Sequence, residues 1–437
     1  MKNLLLIITL ILIQAAFIKC SESVNRRHAS KTNPEIEKQL KSLLAEKEYF
    51  ELKKYFETHE NEISEEKKLY FEAFIKNAFN QNELSFHYVD SILKTYPSDL
   101  DDSAKVELLN LQRDNYVKTF QYANAGKIDQ ELLSYYRKWK DSLKTADTEN
   151  FFIIHNGLSN VPVQKVSLPL IDSIKWEKDK IGLMEVPVRK NSIIYQFVFD
   201  TRASISVITK TFAKKIGLKI LDVSYEENSG ITGNKFKSNL GIADSLYLGN
   251  ILIEHAVFQV VPDSIIDFPQ IKFSINGIIG FPVIKELKKI ELYQNGRLIV
   301  SSHPEKRLLN NLAFDASTTV VCFKTGEDTL SFHFDLGATA TILYYNYLEK
   351  YKSKILQTAL LKTNEVGGAG GTEKREMYIL PQFHLYAGNQ NVTLDSVAIL
   401  TKPIYPGQKY YGNIGQDLVG RFRKMTIDFE SMYIDFN

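Results

Sequence analysis

Along the 437-residue chain the rhythm of apolar positions changes, and each rhythm predicts a different element. After Met1-Lys2-Asn3 an uncharged apolar stretch runs from Leu4 to Phe17. It is too short and too near the start to predict a membrane span, and with its positive leader it reads as a secretory signal. From about Asn33 to Leu143 apolar residues recur at three- and four-residue spacing, as in Leu40, Leu43, Leu44 and then Phe50, Leu52, Tyr55, Phe56, which predicts helices. Two further runs, Tyr70 to Phe79 and Leu84 to Leu93, are separated by Asn80-Gln81-Asn82 and closed by Tyr96-Pro97, with a capped restart at Ser98 to Asp102. The Tyr and Phe stripe of these helices reads as core rather than ligand surface. Helical patterning ends at Thr145-Ala146-Asp147-Thr148, a linker is expected from Lys144 to Leu168, and short alternating strands with Gly and Asn turns dominate beyond it.

A single pattern is written twice within this strand-rich region. Phe199-Asp200-Thr201-Arg202-Ala203-Ser204 returns as Phe334-Asp335-Leu336-Gly337-Ala338-Thr339, and Gly277-Ile278-Ile279-Gly280 returns as Gly412-Asn413-Ile414-Gly415, both at an offset of 135 residues (200 to 335, 280 to 415). Tyr195-Gln196-Phe197-Val198-Phe199 lies over Leu330-Ser331-Phe332-His333-Phe334, so each aspartate follows an alternating strand. Lys288-Lys289-Ile290 lies over Arg423-Lys424-Met425, each heading a terminal hairpin, and Asn295-Gly296 supplies the turn of the first. Short helices are expected at Pro282 to Leu287 and at Gln416 to Phe422. A lone Asp-x-Gly means little, because Asp and Gly are ordinary turn residues. The common register of strands, aspartates and downstream glycines is what makes the signal specific.

These paired motifs resemble the Asp-Thr-Gly and apolar-apolar-Gly signatures of retropepsin-like aspartic proteases, with two copies in one chain as in pepsin. The arrangement is similar to that of exported, Bacteroidetes-type bacterial proteins that carry helical repeats ahead of such protease lobes. The resemblance implies a mainly β fold. Two tandem retropepsin-like β-barrel lobes, residues 165–302 and 303–437, would stand in a pepsin-like pseudo-twofold arrangement. An α-helical domain, tetratricopeptide-like or an irregular bundle, would precede them at 30–145, after a signal peptide at 1–20. By the same resemblance Asp200 and Asp335 form a dyad that activates water to hydrolyse a peptide bond. Thr201, Arg202, Ala203, Leu336, Gly337 and Ala338 would support the dyad loops, and Gly280 and Gly415 would be structural. Gly230 and Gly233 in one copy, and Gly368 and Gly370 in the other, would lie in substrate-covering loops, where glycine eases hinge motion. The implied partner is a peptide or protein substrate; no metal, no cofactor and no second copy of the chain is required.

Two positions depart from the pattern. Arg202 stands where glycine is usual and Leu336 where threonine or serine is usual. Two close carboxylates share one proton, and a neighbouring cation favours the doubly ionised pair. Two readings stay open: an acting endopeptidase in which Arg202 points away or selects a substrate side chain, or a catalytically impaired module that keeps a peptide-binding cleft. The Gly367 run also admits a phosphate loop or a plain surface loop, but it lacks the Lys-Ser/Thr ending that phosphate binding needs.

Composition narrows the rest. The chain is 44% hydrophobic, enough for two or three cores, and its net charge of +2 gives no nucleic-acid footprint. Cys20 and Cys322 are the only cysteines, so no disulfide framework is expected. Cys20 lies just after the apolar stretch, beyond Ile18 and Lys19, and its acylation is the one route by which the mature chain would hold a membrane. The protein is therefore expected in the periplasm or cell envelope. The eight histidines show no zinc-binding spacing and no Gly-x-Ser-x-Gly elbow occurs. His255, His333 and His384 fall in strand-like alternation and are expected half-exposed.

Overall fold

The computed structural model describes residues 31–228, 235–268, 272–303, 305, 310–368 and 370–437. Among the described residues of the N-terminal region are seven α-helices, from Pro34–Ala45 to Ser142–Gly157. Side chains cap some of them: Asn33 caps the first helix ahead of Pro34, and the Asp101 carboxylate accepts the Ala104 N–H at 2.8 Å. Asn80, at φ 57°, turns the chain between Glu65–Ala78 and Asn82–Thr95. The predicted linker is corrected at its start, because Ser142–Gly157 is a helix. Asp141 caps it by accepting the Lys144 N–H at 3.0 Å. Its apolar residues lack a clean three-four rhythm, since several of them, Leu143, Phe151 and Ile153, face solvent. No described helix is long and apolar enough to cross a membrane.

The remainder is largely β, and one pairing scheme occurs in it twice. In the earlier sheet, of nine strands, Gly277–Ile279 lies parallel to Ile193–Phe199 and antiparallel to Ser206–Thr209, which runs parallel to Ile251–Val261. In the later sheet, of eight strands, Gly412–Ile414 lies parallel to Asp328–Phe334 and antiparallel to Ile342–Leu343, which runs parallel to Gln390–Leu400. A five-stranded sheet joins the two regions through antiparallel Lys289–Tyr293 and Lys424–Asp428. In it Glu291 pairs with Thr426, its own counterpart at the 135-residue offset, flanked by Ile290 with Ile427 and Leu292 with Met425. Antiparallel strands that meet at equivalent residues are related by a local twofold axis. Short helices follow at Phe281–Ile284 and Gln416–Val419.

The helices contact both sheets. Asn150 donates to Glu226 O at 2.9 Å on the earlier one, while Asn80 donates to Phe429 O at 2.8 Å and Glu48 accepts from the Ser331 hydroxyl at 2.7 Å in the later region. At the centre of this seam Asp315 accepts from Lys47 Nζ at 2.7 Å and from the Tyr49 hydroxyl at 3.1 Å. Burial alone would raise the Asp315 carboxyl, but the Lys47 ammonium and its hydrogen bond hold it below the ordinary value. A depressed carboxyl stabilises the fold above its unfolded pKa, and that contribution is lost as pH falls through the folded one. Lys47→Met should therefore cost about 1–3 kcal/mol in urea unfolding at pH 7. At pH 3, where the bared Asp315 is protonated, the cost should be small; an equal loss at both pH values would show that packing, not charge, holds the seam.

Candidate active site

Each aspartate ends a strand that hydrogen-bonds its apolar-Gly partner. Asp200 N–H donates to Ile279 O at 3.0 Å and Asp335 N–H to Ile414 O at 2.9 Å. The loops are then pinned alike: Gly280 N–H donates to Ser206 Oγ and Gly415 N–H to Thr341 Oγ1, both at 3.1 Å. Space explains these two glycines. A methyl group at Gly280 would stand 2.6 Å from Ala203 O, and one at Gly415 would stand 2.7 Å from Ala340 O. Asp417 steadies the second loop by accepting from the Thr341 N–H at 2.9 Å and hydroxyl at 2.7 Å.

The local twofold brings the loops together. Thr201 Oγ1 donates to Phe334 O and accepts from the Leu336 N–H, both at 3.0 Å, so one hydroxyl stitches the first loop to the second. Leu336, with no hydroxyl to return the stitch, is buried in the core. Around the same loop Gln416 Nε2 donates to Leu336 O at 2.8 Å and Thr319 Oγ1 to Phe334 O at 2.6 Å. Gly337 lies directly against Asp200; a methyl group there would be 2.7 Å from Oδ1 and closer still to Cγ and Oδ2. A side chain here would have to displace the Asp200 carboxylate.

The carboxylates are held differently. Asp200 Oδ1 accepts two backbone N–H groups, from Arg202 at 2.7 Å and Ala203 at 3.0 Å. Asp335 Oδ1 accepts the Gly337 N–H at 2.8 Å, and its Oδ2 accepts Asn413 Nδ2, also at 2.8 Å. Burial first, then the charge of Asp335, push the Asp200 carboxyl up to about 7, against the pull of those two N–H groups and of the Arg202 charge. The Arg202 charge interacts with Tyr344, Asp335, Tyr405 and Asp200, and so acts on both carboxyls. His333 is corrected from half-exposed to buried: its ring lies 4.4 Å from that of Tyr410 and its Nδ1 is 3.3 Å from the Tyr344 hydroxyl. Burial and then the Arg202 charge lower it to about 3, so it stays neutral.

Residues 186–283 match the family model described as aspartyl protease. The match takes in the Asp200 loop, the Gly277–Ile279 strand and Gly280. No curated protein matches the chain.

Of the glycines expected over a cleft, Gly230 and Gly233 lie outside the described residues. Gly368 and Gly370 sit at the tip of the long hairpin of Leu360–Gly368 and Gly371–Ala387, where Gly370 and Gly371 hold φ of 91° and 116°. The Gly370 N–H donates to Ile265 O at 2.7 Å, so this tip reaches from the later sheet to the earlier region. A separate cavity of about 990 Å³ between helices and strands is lined by neither aspartate. Its charged walls are paired, as in Lys118 with Asp114 at 2.7 Å and Lys47 with Asp315 at 2.7 Å. Sequence reasoning passed over Thr319, Gln416 and Asn413. Only Asn413 carried a signal, a polar residue where the first copy has Ile278.

If Thr201 is the stitch, Thr201→Val should lower stability by about 1–3 kcal/mol in urea unfolding, because the buried Leu336 N–H loses its acceptor. Thr201→Ser should keep most of it. Equal losses for both would assign the effect to the methyl group rather than the hydroxyl.

Proposed function

We propose that the protein is an exported aspartic endopeptidase in which Asp200 and Asp335 act as one dyad on a peptide or protein substrate. The observation that carries this reading is the contact of the two repeated loops, Gly337 against the Asp200 carboxylate, with Asp200 pushed up to about 7. On this reading the duplicated sheets are tandem retropepsin-like lobes about a pseudo-twofold axis, residues 165–302 and 303–437, and the helices from Pro34–Ala45 to Ser142–Gly157 form a tetratricopeptide-like domain ahead of them. A water between the carboxylates gives a proton to one of them as its oxygen attacks the scissile carbonyl carbon. The other carboxyl gives its proton to the carbonyl oxygen. The resulting tetrahedral diol collapses when a proton moves to the leaving nitrogen and the C–N bond breaks. The leader and Cys20 lie outside the described residues; with them the reading places the enzyme in the periplasm or cell envelope, free or lipid-anchored.

Incubation of a diverse peptide mixture with the purified protein should give cleavage from acid to neutral pH, and Asp335→Asn should abolish it. Absence of cleavage by the natural protein at every pH would overturn the reading in favour of a peptide-binding relative.

The sign of the pH dependence follows from Asp200. A carboxyl held at about 7 keeps the shared proton below that pH and loses it above, so activity should fall as pH rises past about 7. Arg202 favours the ionised form. Arg202→Gln should therefore move the alkaline limb of the kcat/KM profile to higher pH. A limb that stays put would show that the guanidinium does not act on the pair.

A further inference from the structure

We infer that Asn413 is a positioning residue that holds Asp335 as the ionised member of the pair and so leaves the shared proton on Asp200. The inference rests on the proposed dyad and goes beyond it by assigning base and acid. Asn413 stands where the first copy has Ile278, so its amide breaks the twofold at the carboxylates themselves. With Gly337 N–H on Oδ1 and Asn413 Nδ2 on Oδ2, both oxygens of Asp335 accept from donors. Both N–H groups that reach Asp200 converge on Oδ1, which makes its Oδ2 the oxygen suited to carry a proton. Donors on both oxygens favour a carboxylate over a carboxylic acid, whose O–H would compete with one of them.

The orientation of the amide supports the same assignment. Asn413 Oδ1 is buried with no protein partner, so its side chain is committed to Asp335 through Nδ2 alone. Turned over, it would set one lone-pair oxygen against another. Of the remaining groups, the Arg202 charge reaches both aspartates and acts more strongly on Asp335, which favours the same assignment; Tyr344 is held neutral by burial with its pKa raised to about 12, Tyr405 bears on Arg202 and Tyr344, and His333 is neutral.

The proton count then closes. Asp335 takes the proton of the attacking water while Asp200 gives its own to the carbonyl oxygen, forming the diol. Asp335 next hands its proton to the leaving nitrogen as the C–N bond breaks, and Asp200 recovers one from the diol hydroxyl, which restores the starting pair.

The test is a carbon-13 titration of the aspartate carboxyls in the purified natural protein and in Asn413→Leu, beside pH profiles of kcat/KM. In the natural protein Asp335 should ionise first and Asp200 near 7. In Asn413→Leu the first ionisation should move up by about one pH unit, a tenfold gain in proton affinity, while the second stays. The acid limb of the rate profile should follow, with KM unchanged. Asp200 ionising first, or a folded variant with an unmoved first step, would overturn the inference. The order of ionisation in the natural protein decides the matter even if the variant does not fold. It also separates this inference from the protease reading, since a protein that titrates as stated yet cuts nothing would refute only the latter.

Discussion

Everything at the paired aspartates depends on one antiparallel contact, the pairing of Lys289–Tyr293 with Lys424–Asp428 about Glu291 and Thr426. Strands that pair at their own counterparts fix the relation between the two sequence copies as a half-turn. A slip of one residue would turn the strand over, presenting Ile290 and Leu292 to the wrong face. The Asp200 and Asp335 loops, which follow strands far from this sheet in sequence, face each other across that half-turn. The helices lean on both sheets. Thr201 closes the arrangement at the loops with one hydroxyl that serves as both donor and acceptor.

Symmetry delivers the two carboxylates; departures from it give them different work in the proposed reaction. Gly337 and Arg202 are counterparts, yet one is an absence of side chain against Asp200 and the other a cation that both carboxyls feel. Asn413 and Ile278 are counterparts, and only one of them can donate. Leu336 lacks the hydroxyl that Thr201 has, so the loops are stitched from one side, and Thr319 and Gln416 add bonds to Phe334 O and Leu336 O. Those two residues lie outside the repeated motifs.

That division also explains what could be read in the chain. The duplicated motifs were legible because strand alternation and close-packed glycines impose strict residue types at fixed spacing. Asn82–Thr95 was legible because its turn and stop residues stand beside it in sequence. Ser142–Gly157 was not, since a helix whose large apolar side chains partly face solvent has no clean periodicity to show. His333 alternates like any half-exposed strand residue, and only the later fold places Tyr410 and Tyr344 over it. Thr319 and Gln416 act through contacts made between distant segments, which no local spacing encodes.

The counterpart pairs carry a consequence for how such a chain can change. Where two identical subunits build one centre, a single codon sets both sides, so every substitution arrives twice and must suit two places at once. Joining the copies through one continuous backbone separates their inheritance. Gly337 can stay fixed by the crowding at Asp200 while position 202 drifts to arginine, and position 413 can gain an amide without forcing one onto 278.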